Sequence, residues 1–154
     1  MKQLIMLNTR EIKKLNDQLK ANFSFTLSKD YAFARSENGK MYLVNKDIAR
    51  LPLKNLIIDR VGLYFSKDEN DFRLSKEGAQ FLYQQAQGKL TNVIELNEEE
   101  VKYFFNGLDL IKDLGSEKKL IILKFKDNIL GSATYKEGKI LNYLPKTYRG
   151  EVIK

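Results

Sequence analysis

Leu120-Ile121-Ile122-Leu123-Lys124-Phe125-Lys126-Asp127-Asn128-Ile129-Leu130-Gly131-Ser132-Ala133-Thr134-Tyr135-Lys136-Glu137-Gly138-Lys139-Ile140-Leu141-Asn142-Tyr143-Leu144 is the stretch that decides the fold. Its short apolar runs are rich in branched and aromatic residues and are separated by turn signals. This predicts strands at Leu120 to Phe125, Ile129 to Tyr135 and Ile140 to Leu144, with turns at Asp127-Asn128 and Glu137-Gly138. Three strands joined by tight turns make a compact antiparallel sheet or barrel.

Upstream, Val93 to Leu96 reads as a further strand. Asn97 followed by Glu100 is a helix-capping pattern, and Glu98 and Glu99 complement the helix N-terminus. Val101, Phe104 and Phe105 form that helix's apolar face, and Asn106-Gly107 ends it. Residues 92–154 are therefore expected to be one helix followed by a barrel.

Residues 1–91 read as a separate α+β lobe. Asn8 and Glu11 form another capping pattern, and Ile12, Leu15 and Leu19 recur at helical spacing, which predicts a helix from Thr9 to Ala21. Phe23, Phe25 and Leu27 alternate with polar residues as a strand would. Tyr31 to Arg35 and Met41 to Val44 flank Asn38-Gly39, the strongest short hairpin signal. Leu56 to Ile58 and Val61 to Phe65 are apolar runs interrupted at Gly62. Asp71 to Leu74 is a short strand ending at Ser75, and Ala79, Leu82, Tyr83 and Ala86 share one face of a second helix.

Charge is distributed unevenly. Residues 1–117 carry 18 Lys+Arg against 17 Asp+Glu, whereas residues 118–154 carry nine against three. A local excess of this kind suits a polyanion partner, because each phosphate neutralised releases condensed counterions. The 154 residues include no cysteine and no histidine, which removes thiolate nucleophiles, sulfur-bound zinc and the commonest general base together. No run approaches the roughly 20 apolar residues needed to span a bilayer, and the N-terminus is too short in apolar residues for a signal peptide, so no membrane partner and a cytoplasmic location are expected.

Paired carboxylates are the remaining source of acid and base chemistry. Asp68, Glu69 and Asp71 sit in a turn, and Glu98, Glu99 and Glu100 in the first turn of a helix, so loop solvation and helix-dipole complementation already account for both clusters. Neither phosphate-loop pattern, G-x-x-x-x-G-K-[ST] or G-x-G-x-x-G, occurs. Aromatic residues interleave with cations at Tyr135-Lys136, Tyr143 to Lys146 and Tyr148-Arg149, a combination that RNA modules use for stacking bases and holding phosphates. No catalytic residue, metal ligand or cofactor is expected.

The segment from Leu130-Gly131 through Asn142 and Pro145-Lys146 to Arg149 resembles the C-terminal signature of the PUA-like RNA-binding domain of RsmF-type rRNA 5-methylcytosine methyltransferases. Arg60-Val61-Gly62-Leu63, Phe72-Arg73-Leu74-Ser75 with Ala79, and the segment from Val101 to Gly107 are similar to what precedes that signature. The same order of lobes is similar to the free-standing Nip-seven family of ribosome-biogenesis factors. The resemblance implies an α+β fold, with an N-terminal pre-PUA lobe (residues 1–91) packed on a C-terminal PUA-like β-barrel (residues 92–154).

It also implies RNA contacts from Lys136, Lys139, Asn142, Lys146, Tyr148 and Arg149, with Gly131, Pro145, Gly107 and Gly62 as structural positions. Gly131 is expected to permit close backbone approach, and Asn142 to bond either a base edge or the barrel backbone. Where the family has lysines after its Leu-Gly pair and before its Asn, this chain has Thr134 and Leu141, and Lys136 and Lys139 are the cations nearby. The expected partner is rRNA or tRNA, together with an RNA methyltransferase or a ribosome-assembly factor. The competing expectation is a protein-interaction adaptor that docks through the helix from Thr9 to Ala21 and the apolar run Leu51 to Leu56.

Overall fold

The computed structural model describes residues 4–28, 30–45, 62–68 and 72–142 and divides the chain into two units, Met1–Thr91 and Asn92–Lys154. In the first, strands β1 (Leu4–Met6), β2 (Tyr31–Ser36), β3 (Lys40–Asn45), β4 (Gly62–Asp68) and β5 (Phe72–Leu74) form one antiparallel sheet in that order.

Helix α1 (Thr9–Phe23) starts at the capping box. The Glu11 amide donates to Asn8 Oδ1 at 2.9 Å and the Asn8 amide to Glu11 Oε1 at 3.2 Å. Phe23 belongs to this helix and not to a strand. It extends the buried stripe of Leu15 and Leu19 by one more turn, and Ser24, in the left-handed conformation at φ 58°, ends the helix after it. Residues 25–28 form no regular strand, and the Leu27 amide is satisfied by Asn16 Oδ1 at 3.0 Å.

The β2–β3 hairpin turns at Asn38-Gly39 with Gly39 at φ 82°. Register shifts between Met41 and Tyr42, so that Phe65 on β4 is the extra residue of a bulge; its ring is buried and packs edge-on to Phe33 at 5.8 Å. Helix α2 (Lys76–Gln85) is capped by Ser75, whose Oγ accepts from the Gly78 amide at 2.8 Å. Ala79, Leu82 and Ala86 are buried on the expected face, while Tyr83 is half-buried. Only glycine fits at position 78, because a Cβ there would lie 2.1 Å from the Phe65 carbonyl oxygen. The runs Leu51 to Leu56 and Leu56 to Ile58, the Arg60-Val61 pair, Glu69 and Asp71 lie outside the described residues.

The second unit contains β6 (Val93–Glu95), helix α3 (Glu98–Phe105), β7 (Leu110–Ile111), β8 (Lys119–Phe125), β9 (Asn128–Lys136) and β10 (Lys139–Leu141), with sheet order β6-β8-β9-β10-β7. Asn97 and Glu100 form the capping box of α3, and Val101, Phe104 and Phe105 enter the core with Ile121, Leu123, Leu130, Ala133, Tyr135 and Ile140. β8 is buried continuously from Leu120 to Leu123, as a central strand covered on both faces must be.

Two expectations are corrected. The sheet is not wholly antiparallel, since β6 runs parallel to β8, with α3 and β7 making the long crossover that a parallel pair needs. Among the described residues the sheet curls into a half-barrel with β6 and β7 at its edges, in keeping with the PUA-like fold expected from the sequence. The β8–β9 turn is Lys126-Asp127, because pairing extends through Phe125↔Asn128 and Lys126 takes the left-handed conformation at φ 52°. The Glu137-Gly138 turn is as expected: φ values of 50° and 79° match the twist that a two-residue hairpin requires.

Candidate nucleic-acid interface

Cross-strand register assembles the site at the β9–β10 end of the second sheet. Lys136 pairs with Lys139, and Lys139 pairs with Ile111 on the edge strand β7. Paired residues point to the same face. The alternate residues Tyr135, Ile140 and Leu110 are buried, whereas Lys136 and Lys139 are exposed and Ile111 is 83% exposed. Lys118 lies one residue before Lys119, which pairs with Tyr135, and so approaches the same end from β8. Among the described residues no ion pair takes up Lys136 or Lys139. Two ammonium groups directly opposite each other repel, which a phosphate between them would relieve.

Beneath this row the segment after β7 is pinned from inside. The Tyr135 hydroxyl donates to the Gly115 carbonyl at 3.0 Å and accepts from the Leu114 amide at 2.8 Å, while Lys119 Nζ donates to the Leu114 carbonyl at 2.7 Å. A shallow groove lies alongside, lined in part by Ile111, Lys112, Asp113, Ser116, Glu137 and Gly138. Its charges are mixed, and Lys112 is bound to Glu100 at 3.1 Å, which leaves the exposed lysine pair as the cationic feature.

Of the residues singled out from sequence, the structure thus brings Lys136 and Lys139 together. Thr134 pairs with Leu141 on the same face, two cross-strand pairs further from the turn. Thr134 is only 5% exposed and Leu141 half-buried, so the lysine pair stands about 7 Å nearer the turn, given two residues of strand rise. Asn142 is used on the backbone: its Nδ2 reaches the Phe104 carbonyl at 2.5 Å and the Leu108 carbonyl at 3.0 Å, and its amide donates to Asp109 Oδ1 at 2.8 Å. It staples the end of β10 to the last turn of α3. Gly107, at φ 87°, closes that helix and donates to the Phe104 carbonyl.

Gly131 does not serve close approach, because a Cβ there would meet nothing within 4 Å. It sits where β8–β9 register shifts, at φ 140°, a conformation that side-chain-bearing residues rarely adopt, and the bulge lets both Ile129 and Leu130 be buried. At Gly62 the neighbours are close: a Cβ would lie 3.3 Å from the Leu43 oxygen. Tyr135 is no stacking platform, since its ring is 1% exposed. Tyr143, Pro145, Lys146, Tyr148 and Arg149 lie outside the described residues. Ile111 was not singled out from sequence, because a two-residue strand such as β7 shows no periodicity and only register reveals its neighbours.

Glu100 caps α3 and binds Lys112, and Glu98 lies 3.8 Å from Lys102. Among the described residues no group of three or more His, Cys, Asp or Glu converges to hold a metal ion, and no helix is long and apolar enough to cross a membrane.

Residues 91–150 match the family described as the methyltransferase RsmF PUA domain. The chain's fold is similar to a crystal structure of a PUA domain from Aeropyrum pernix K1, determined as a tartrate complex. The two share a TM-score of 0.54 and 14% identity, over 99% of this chain and 81% of that one. No curated protein matches the chain in sequence. The architecture is therefore α+β with a PUA-like fold, and PUA domains as a class bind RNA.

Proposed function

We propose, from the premise that residues 91–150 are a PUA-like domain, that this chain is a non-catalytic protein of the cytoplasm that recognises structured rRNA or tRNA. It serves RNA modification, as the targeting subunit of a separate RNA methyltransferase, or ribosome assembly. The observation that carries this reading is the exposed Lys136–Lys139 pair, held across β9 and β10 at the end of the PUA-like sheet. Lysines in that arrangement act as point charges for a phosphate backbone, while hydrogen bonds from Tyr135 and Asn142 fix the surrounding backbone so that little order is lost on binding. A methyltransferase that works through a cysteine nucleophile cannot be built from a chain with no cysteine, so methyl transfer falls to the partner. Binding of the full chain to rRNA and tRNA fragments at several salt concentrations tests this. Affinity should fall steeply and linearly on a log–log plot as salt rises; no binding, or binding indifferent to salt, would contradict it.

A further inference from the structure

Helix α1 lies outside the matched residues 91–150, yet it gathers cations on one arc. At about 100° per residue, Arg10, Lys13 and Lys14 fall within about 100° of one another, opposite the buried stripe of Leu15, Leu19 and Phe23. All three are exposed, and among the described residues none of their side chains has an ion-pair or hydrogen-bond partner. Asp17, one turn further along, forms no ion pair with Lys13 or Lys14. Arg35 does not belong to the group, because Glu11 holds it at 2.9 Å. Lys20 is set apart as well, since it sits in the last turn, where the helix dipole already favours a cation.

The fold gains nothing from this arc. Arg10 stands in the first turn, where the dipole disfavours a positive charge, and Arg10 and Lys14 are like charges one turn apart, so each feature is a small cost to the helix. Few occupants suit the arc. Ala21 is the only apolar residue that α1 exposes, so a protein interface here would lack an apolar centre. The helix cannot lie in a membrane surface either, because the apolar stripe it would insert is spent on the core. A phosphate backbone needs no apolar contact, only cations held close together on a fixed support, and the capping box fixes this end of the helix. Arg10 adds a guanidinium able to grip a phosphate through two parallel hydrogen bonds. We infer that Arg10, Lys13 and Lys14 form a second phosphate-binding surface for RNA, carried by the first unit. This rests on the RNA-binding reading above.

The experiment measures affinity of the full chain for an rRNA fragment across a salt series, beside three variants. These are Arg10→Gln/Lys13→Gln/Lys14→Gln, Lys136→Gln/Lys139→Gln, and Lys76→Gln/Lys89→Gln/Lys126→Gln, the last removing three charges from exposed positions elsewhere. Each lost phosphate contact should make the log–log slope shallower by about 0.7 to 0.9, so the helix variant should lose about two to three units of slope and bind about 10- to 100-fold more weakly. The variant of equal charge should keep the wild-type slope; a loss as large as the helix variant's would make the effect one of net charge and overturn the surface. If the helix variant keeps the wild-type slope while Lys136→Gln/Lys139→Gln loses its share, the surface is overturned and the RNA-binding reading stands. If wild type shows no salt-dependent RNA binding, both fail. Glutamine is about as good a helix former as lysine or arginine, so the helix variant should fold. Should it not, Lys13→Gln and Lys14→Gln singly should each lower the slope by about 0.7 to 0.9, and unchanged slopes in both overturn the surface.

Discussion

Both units expose a group of cations, but the two groups are built differently. In the second unit two lysines flank the Glu137-Gly138 turn, stand exposed, and share their row with Ile111. In the first unit Arg10, Lys13 and Lys14 lie on one arc of α1, brought together by helical spacing. The difference teaches that backbone geometry, and not linear charge density, makes a charged surface. Residues 1–117 are almost neutral in sum, which hides Arg10, Lys13 and Lys14. Residues 118–154 carry a clear excess, yet Lys119 is spent on the Leu114 carbonyl and Lys126 sits at the opposite turn, 5.3 Å from the centre of the Phe125 ring.

The most damaging way to break the comparison is to dislodge one sheet's support. Gly78→Ala forces α2 away from β4, where a Cβ would sit 2.1 Å from the Phe65 oxygen, and should cost about 3 kcal/mol in denaturant unfolding of the full chain. Gly131→Ala in the other sheet meets no atom within 4 Å, so only its φ of 140° is penalised. A loss of about 2 kcal/mol is expected, read as a lower unfolding midpoint. Asn142→Ala removes the donors to the Phe104 and Leu108 carbonyls and should cost about 1 kcal/mol. Lys126→Gln, at the far turn of β9, should leave the salt dependence of RNA binding unchanged; a change as large as that from losing Lys136 would mean that position along the sheet does not matter.

Much of the fold was legible because local signals agreed with tertiary need. Asn8 with Glu11, Asn97 with Glu100, and the Gly39 and Gly138 turns all fall where spacing placed them. What escaped was non-local or short. β1 and β7 have three and two residues, too few to show a period, and the parallel pairing of β6 with β8 depends on contacts across 28 residues or more. Phe23 alternated like a strand residue, but its four-residue spacing from Leu19 let the helix claim it. The site was legible in residue type at Lys136 and Lys139. The role of Asn142 was open between RNA and backbone, because only the fold brings the α3 terminus to it.

The central claim is that the Lys136–Lys139 pair meets a phosphate backbone. Its most direct measurement is the salt dependence of rRNA-fragment binding by wild type and by folded Lys136→Gln/Lys139→Gln. The variant should bind more weakly, with a log–log slope shallower by about one and a half to two. Identical slopes and affinities would contradict the account.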